Sequence, residues 1–263
     1  MKNIVFKFIA FISVLTSISI FSPSYAENTP EKTTASENAY NQLSDQEVHE
    51  RIHFINAALQ GGEPGSRIWY WSFLSLYSAG TIAQLSLYFA APAIEPIDPI
   101  KREYLRQDMM MGTITTGIGT VFLAISPMTS MYARKEYASL PENTLDERVA
   151  KLKKAELMLQ TSSTWEDENH SLLIHGLNFG LNLTAGLIIW LAFNRTIEAG
   201  LITFLPGFIV GEIQLFTQPT KAISDWNHYE ARYIQKKQAY YKNDDQLWHI
   251  AAAPGGLMII RQF

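Results

Sequence analysis

Ser171 to Asn194 reads SLLIHGLNFGLNLTAGLIIWLAFN, and Ala199 to Thr220 reads AGLITFLPGFIVGEIQLFTQPT. The first stretch carries one histidine and no formal charge, and the second carries a single glutamate. A helix needs about 20 largely apolar residues to cross the hydrocarbon core of a bilayer. A helix buried in a water-soluble core rarely stays free of charge for that long. The two stretches therefore read as membrane spans joined by a short loop. Ile68 to Ala91, flanked by Arg67 and Glu95, and Met109 to Ala133 read the same way. Trp69, Tyr70, Trp71, Tyr88 and Tyr132 fall at the ends of these stretches, the depth at which Trp and Tyr gather. The expected fold class is an all-α membrane protein. Its four transmembrane helices form two tandem hairpins, at about 68–91 with 109–133 and 171–194 with 199–220. Amphipathic helices lie on the outer, periplasmic side.

Composition agrees. Hydrophobic residues make up 47% of the 263-residue chain and charged residues 17%, below the roughly 25% of a soluble domain. The formal charge of −4 and the absence of a basic stripe give no footing for nucleic acid. There is no cysteine, which excludes disulfides, thiolate metal sites, cysteine nucleophiles and a lipidated cysteine.

The chain opens like a secreted one. Lys2 and Lys7 precede an apolar run from Phe8 to Ile20, Pro23 ends it, and Ser24 and Ala26 stand at −3 and −1 of a cleavage site. That pattern marks residues 1–26 as a signal peptide. Residues 27–43 read as a flexible polar leader. With the new N-terminus outside, the loop at 95–108 is cytoplasmic. Its Lys101, Arg102 and Arg106 agree with the positive-inside rule, whereas Arg134 and Lys135 on the outer side do not. The expected location is the bacterial cell envelope, in the inner membrane, with both termini in the periplasm.

The chain also resembles itself. Ser44-Asp45-Gln46-Glu47 and Thr144-Leu145-Asp146-Glu147 both fit a capping box and open amphipathic helices. Ser78-Ala79-Gly80-Thr81-Ile82 pairs with Thr184-Ala185-Gly186-Leu187-Ile188, and Gly119, Leu123, Pro127 and Tyr137 pair with Gly211, Leu215, Pro219 and Tyr229 at identical spacing. Two helix-plus-hairpin units, 44–140 and 141–241, follow, in parallel orientation, with 242–263 as a C-terminal tail. Ile223, Trp226, Tyr229, Tyr233 and Tyr240 share a face that reads as a core face against the other outer helices. Gly61-Gly62-Glu63-Pro64-Gly65 reads as a turn between outer helix and span.

Two constellations could carry chemistry. His175, Asn178 and Asn182 fall on one face of the third span, and Glu212 sits in the fourth, about 10 Å below its outer end at 1.5 Å per residue. A lone carboxylate there costs several kcal/mol unless paired, protonated or wetted, so a Glu–His pair is expected. The repeat places Thr120 opposite Glu212 and Trp69 opposite His175, so the first copy has no such pair. His49-Glu50-Arg51-Ile52-His53 matches the HExxH string, in which two histidines bind zinc and the glutamate is a general base. Here no third ligand is evident by spacing. No GxSxG, P-loop or GxGxxG string occurs.

The reading favoured is a non-enzymatic scaffold or assembly partner of a membrane complex, in contact with lipid and with a protein partner or a second copy. The alternatives are a zinc-dependent membrane hydrolase using His49, Glu50 and His53, and a small transporter or lipid-handling protein using His175 and Glu212.

Overall fold

The computed structural model describes residue 40, residues 42–94 and 97–235, and the backbone of residues 248–253 and 256–261. The signal peptide, most of the leader, Glu95 and Tyr240 lie outside the described residues. Between Asp45 and Gln235 the described residues are mainly helical. In chain order the helices are α1 (Asp45–Ala90), α2 (Pro99–Ile125), α3 (Ala133–Ala138), α4 (Leu145–Asn169), α5 (Leu172–Leu187), α6 (Ile197–Phe216) and α7 (Lys221–Tyr229). Wider π turns extend α5 over Ile188–Ala192 and α7 over Glu230–Gln235. Strands β1 (Trp248–Ala253) and β2 (Gly256–Arg261) pair antiparallel.

Local sequence explains several helix ends. Ser44 Oγ accepts the Glu47 N–H at 3.2 Å, and Thr144 forms a complete capping box with Glu147. Asp98 caps α2 through the Ile100 N–H at 2.8 Å, with Pro99 in the first turn, the position that tolerates a missing N–H. Pro127 and Pro219 follow α2 and α6, where a proline cannot continue the helix.

Three helices are long and apolar enough to cross a membrane by length and composition, namely Pro99–Ile125, Leu172–Ala192 and the stretch Ile197–Gln235, whose apolar part is α6. Ile68–Ala91 is not among them. It carries no charge, but Gln84 and a run of serines and tyrosines lower its hydropathy. α1 packs along α2 and α5 along α6. The pairs meet where Met111 of α2 packs on Ala185 and Ile189. Ile82, Phe89, Ile125, Leu172, Leu191, Ile202 and Phe216 point outward, all more than 60% exposed, so these faces are clad in apolar side chains.

The N-terminal half of α1 joins α3, α4 and α7 in a separate helical platform with its own core of Val48, Ile55, Leu59, Tyr137, Leu152, Leu159 and Tyr229. One buried carboxylate ties it together. Glu156 accepts hydrogen bonds from the hydroxyls of Tyr40 and Tyr229 and lies 3.4 Å from the Arg51 guanidinium. Arg51 also reaches Glu47 at 2.6 Å and the Tyr233 carbonyl at 3.1 Å.

Several sequence expectations change. Gly61 to Gly65 is no turn, because α1 runs through it with Pro64 inside. Proline propensity is overridden by packing: Ser66 is buried and bonds Gly62 O, Ser130 bonds Ser66 at 2.9 Å, and Glu63 pairs with Arg67 and Arg134. The loop expected at 95–108 is shorter, since α2 starts at Pro99, and the second stretch ends at Ile125 rather than Ala133. The leader expected to reach residue 43 ends earlier in effect. Tyr40 and Leu43 pack into the platform core, because an aromatic hydroxyl and a leucine have a carboxylate and an apolar face to meet there.

Replacing Glu156 with Ala leaves two buried tyrosine hydroxyls without their acceptor. The variant is expected to lose roughly 2–3 kcal/mol of stability, read as a lower melting temperature in detergent. A Tyr137→Phe variant, whose hydroxyl makes only a 3.4 Å bond to Asn56, should lose less than half as much.

Candidate functional site

Apolar sequence makes α5 and α6 helices, and small residues let them touch. Added Cβ atoms at Gly186 and Gly200 would meet the opposite backbone carbonyl at 2.6 and 2.7 Å. That contact needs glycine on both sides, as in close helix pairs generally. Further toward the platform the seam becomes polar. Gly207 and Gly211 leave the room that Asn182 and Asn178 fill, and a Cβ at either glycine would land on the asparagine Oδ1.

The polar groups form one chain. Asn182 Nδ2 donates to Asn178 O and Oδ1, both at 2.9 Å. Asn178 Nδ2 donates to Phe208 O at 3.1 Å and to Glu212 Oε1 at 2.8 Å. His175 Nδ1 meets Glu212 Oε2 at 2.7 Å, and its ring lies 5.2 Å from Phe216. The structure thus brings together His175, Asn178, Asn182 and Glu212. Asn182 is buried, and the side chains of His175 and Glu212 keep 21% and 17% of their surface exposed. Their depth differs from expectation. α6 ends at Phe216 and not near Thr220, so Glu212 lies about 6 Å, one helical turn, from the C-terminal end of the helix. Chemically, such a chain can hold a proton between imidazole and carboxylate while the asparagines orient the carboxylate.

Sequence reasoning missed how the second helix pair is tied to the first. Gln214 takes the Tyr77 hydroxyl on its Oε1 at 2.6 Å, and its carbonyl takes Trp69 Nε1 at 3.2 Å. The signal was present as a glutamine two residues from Glu212, on the nearly opposite face of α6 at about 100° per residue. Thr81, Gln84 and Thr116 make a similar polar seam between α1 and α2, where the packing reading of small residues applies.

His49, Glu50 and His53 lie exposed on α1. They line an open cleft of about 530 Å³ together with Phe54, Ala57, Ala58, Lys221, Asp225, Arg232 and Tyr233. Glu50 Oε1 accepts from Gln46 Nε2 at 2.9 Å, and Asp225 pairs with Lys221 at 2.7 Å. Among the described residues no group of three His, Cys, Asp or Glu side chains is placed to hold a metal ion. His170 and His228 are not part of the cleft lining. The spacing of two histidines one turn apart is met, and the third ligand that a zinc hydrolase requires is not brought to them by the described residues.

Comparison with protein-family models, with curated proteins and with solved structures returned no match.

The glycine seats give a contrast between two glycines of one hairpin. Gly211→Ala has to expel Asn178 from its bonds to Phe208 O and Glu212, and should cost about 1–3 kcal/mol. Gly176→Ala, with nothing within 4 Å of the added carbon, should be neutral or slightly stabilising. Thermal unfolding of both variants in the same detergent reads the difference, and equal losses would remove the asparagine seam from the account.

Proposed function

We propose that this chain is a non-enzymatic scaffold of the bacterial cell envelope, an integral membrane protein that presents a helical platform and its cleft to a protein partner of a membrane complex. The observation that carries this reading is the continuity of α1. Its 46 residues run unbroken from the platform core into the apolar half, a rod of about 69 Å at 1.5 Å per residue. A platform joined to its membrane helices without a hinge suits holding a partner at a set height and angle. The mutual hydrogen bonding of His175, Asn178, Asn182 and Glu212 fits the same role, since it locks α5 to α6.

The finer layout in this reading has four spans, the first being the apolar half of α1, in two tandem hairpins. The signal-peptide pattern and the basic residues at 101–106 support a periplasmic platform and termini, with the helices in the inner membrane. The duplication gains support from contacts. Aligning Ser44 with Thr144 pairs Asn56 with Glu156 and Ser66 with Glu166. Aligning Tyr137 with Tyr229 pairs Ser130 with Ala222. Tyr137 bonds Asn56 as Tyr229 bonds Glu156, and Ser130 bonds Ser66 as Ala222 bonds Glu166. Two contacts of the first unit thus recur at the aligned positions of the second.

A second reading, a small transporter or lipid-handling protein, is favoured by one observation: the His175–Glu212 pair retains access at its edge. Glu212→Gln separates the two. In the scaffold reading the variant keeps function in proportion to its stability. In the transport reading it folds and loses activity outright.

Photo-crosslinking residues placed at positions 50, 53, 57 and 232 should trap a discrete protein adduct in native membranes, whereas position 82 on the apolar face should not. Absence of adducts from every cleft position overturns the scaffold reading.

A further inference from the structure

His49 and His53 stand one helical turn apart on the exposed side of α1 and line the same cleft. Side chains at i and i+4 on a helix have Cβ atoms roughly 5–6 Å apart, close enough for two imidazoles to share one ion. Zinc-binding helices use this same spacing. The backbone beneath the two rings is fixed, because Val48, Ile55 and Leu59 on the core-facing side of α1 are buried in the platform. Among the described residues neither ring has a hydrogen bond or an ion pair, so their nitrogens are available. Ala57, one turn beyond His53, presents only a methyl to the cleft, which leaves space beside the rings for further ligands. The charges lining the cleft balance: Lys221 is paired with Asp225 at 2.7 Å, and Arg232 is offset by Glu50. A dication therefore meets no net repulsion there. Helix packing does not dictate the histidines either. The aligned positions of the second unit hold Val149 and Lys153, and α4 is helical through both.

We propose that His49 and His53 form a two-histidine chelate for a divalent transition-metal ion of the kind imidazole prefers, namely copper, nickel or zinc. The ring nitrogens fill two coordination positions. Water, or a donor atom of a molecule that enters the cleft, fills the others. Two protein ligands fall short of the three that a zinc hydrolase uses, so the site holds an ion and leaves the non-enzymatic reading untouched. Magnesium and calcium, which take oxygen ligands, have no place on a pair of imidazoles. Binding here does not depend on a protein partner, so this site can fail while the scaffold reading stands, and the reverse.

The test is isothermal titration of the full-length protein, purified in detergent without a histidine tag, with nickel, copper and magnesium chlorides near neutral pH. One nickel ion per chain is expected, with copper bound more tightly than nickel and no saturable binding of magnesium. His49→Ala and His53→Ala should each weaken nickel by about tenfold or more, no less than the loss of a residue that merely supports a ligand. His228→Ala should leave nickel binding unchanged. Moving one histidine along the helix tests the geometry. His49→Ala combined with Ala57→His restores a pair one turn apart and should recover nickel binding. His49→Ala combined with Gln60→His sets the rings seven residues apart, about 10 Å along the axis, and should not. Nickel binding that survives both single alanine substitutions overturns the proposal, as does magnesium bound as tightly as nickel or the absence of saturable nickel binding. Equal recovery at positions 57 and 60, or at neither, overturns it too.

Discussion

An amide or a carboxylate in apolar surroundings has to find its hydrogen bonds within the protein, and leaving one unmet costs more than most single contacts contribute. That constraint orders much of this molecule. It explains why Asn178 and Asn182 sit over glycines rather than side chains, why Glu212 has His175 on one oxygen and Asn178 on the other, and why Gln214 reaches Tyr77 across to the first pair of helices. The same rule governs the platform. Glu156 and Arg51 are buried together with two tyrosine hydroxyls and a backbone carbonyl. Apolar burial supplies the bulk of the driving force, and these polar seams decide which faces meet.

The helical class and three of the apolar helices were legible because hydrophobic length is a property of the chain alone. The His175–Glu212 contact was legible for a related reason: helical spacing put three polar residues on one face, and a buried acid demands a partner. Helix ends were harder. The five residues Gly61 to Gly65 have the composition of a turn, and only the contacts of Ser66 with Ser130 and of Glu63 with Arg134 reveal why the helix continues. These partners lie more than 60 positions away in the chain, and no local pattern points to them. The depth of Glu212 was misjudged for the same kind of reason, since the apolar count ran on to Thr220 while the helix stops at Phe216.

The tyrosine and acid node around Glu156 was not legible at all. Tyr40 stands in a polar leader and Glu156 among the charged residues of α4, where each looks solvated. Their meeting depends on the packing of α1, α4 and α7. The HExxH string shows the opposite error. It is easy to see in the chain, yet its glutamate turns to Gln46 and its histidines open onto a cleft shared with a lysine, an arginine and a tyrosine.

The unbroken course of α1 past Pro64 has a geometric consequence. With about 20 residues on one side of that proline and about 26 on the other, the two arms measure roughly 30 and 39 Å. Such a rod acts as a lever with its fulcrum near the Ser66–Ser130 contact. A tilt of about 10° at that pivot carries the tip beside Ser44 through roughly 5 Å and swings the tip beside Ala90 the other way by slightly more. Movement imposed on the platform end of α1 would therefore reach the end beside Ala90 as displacement of the opposite sense.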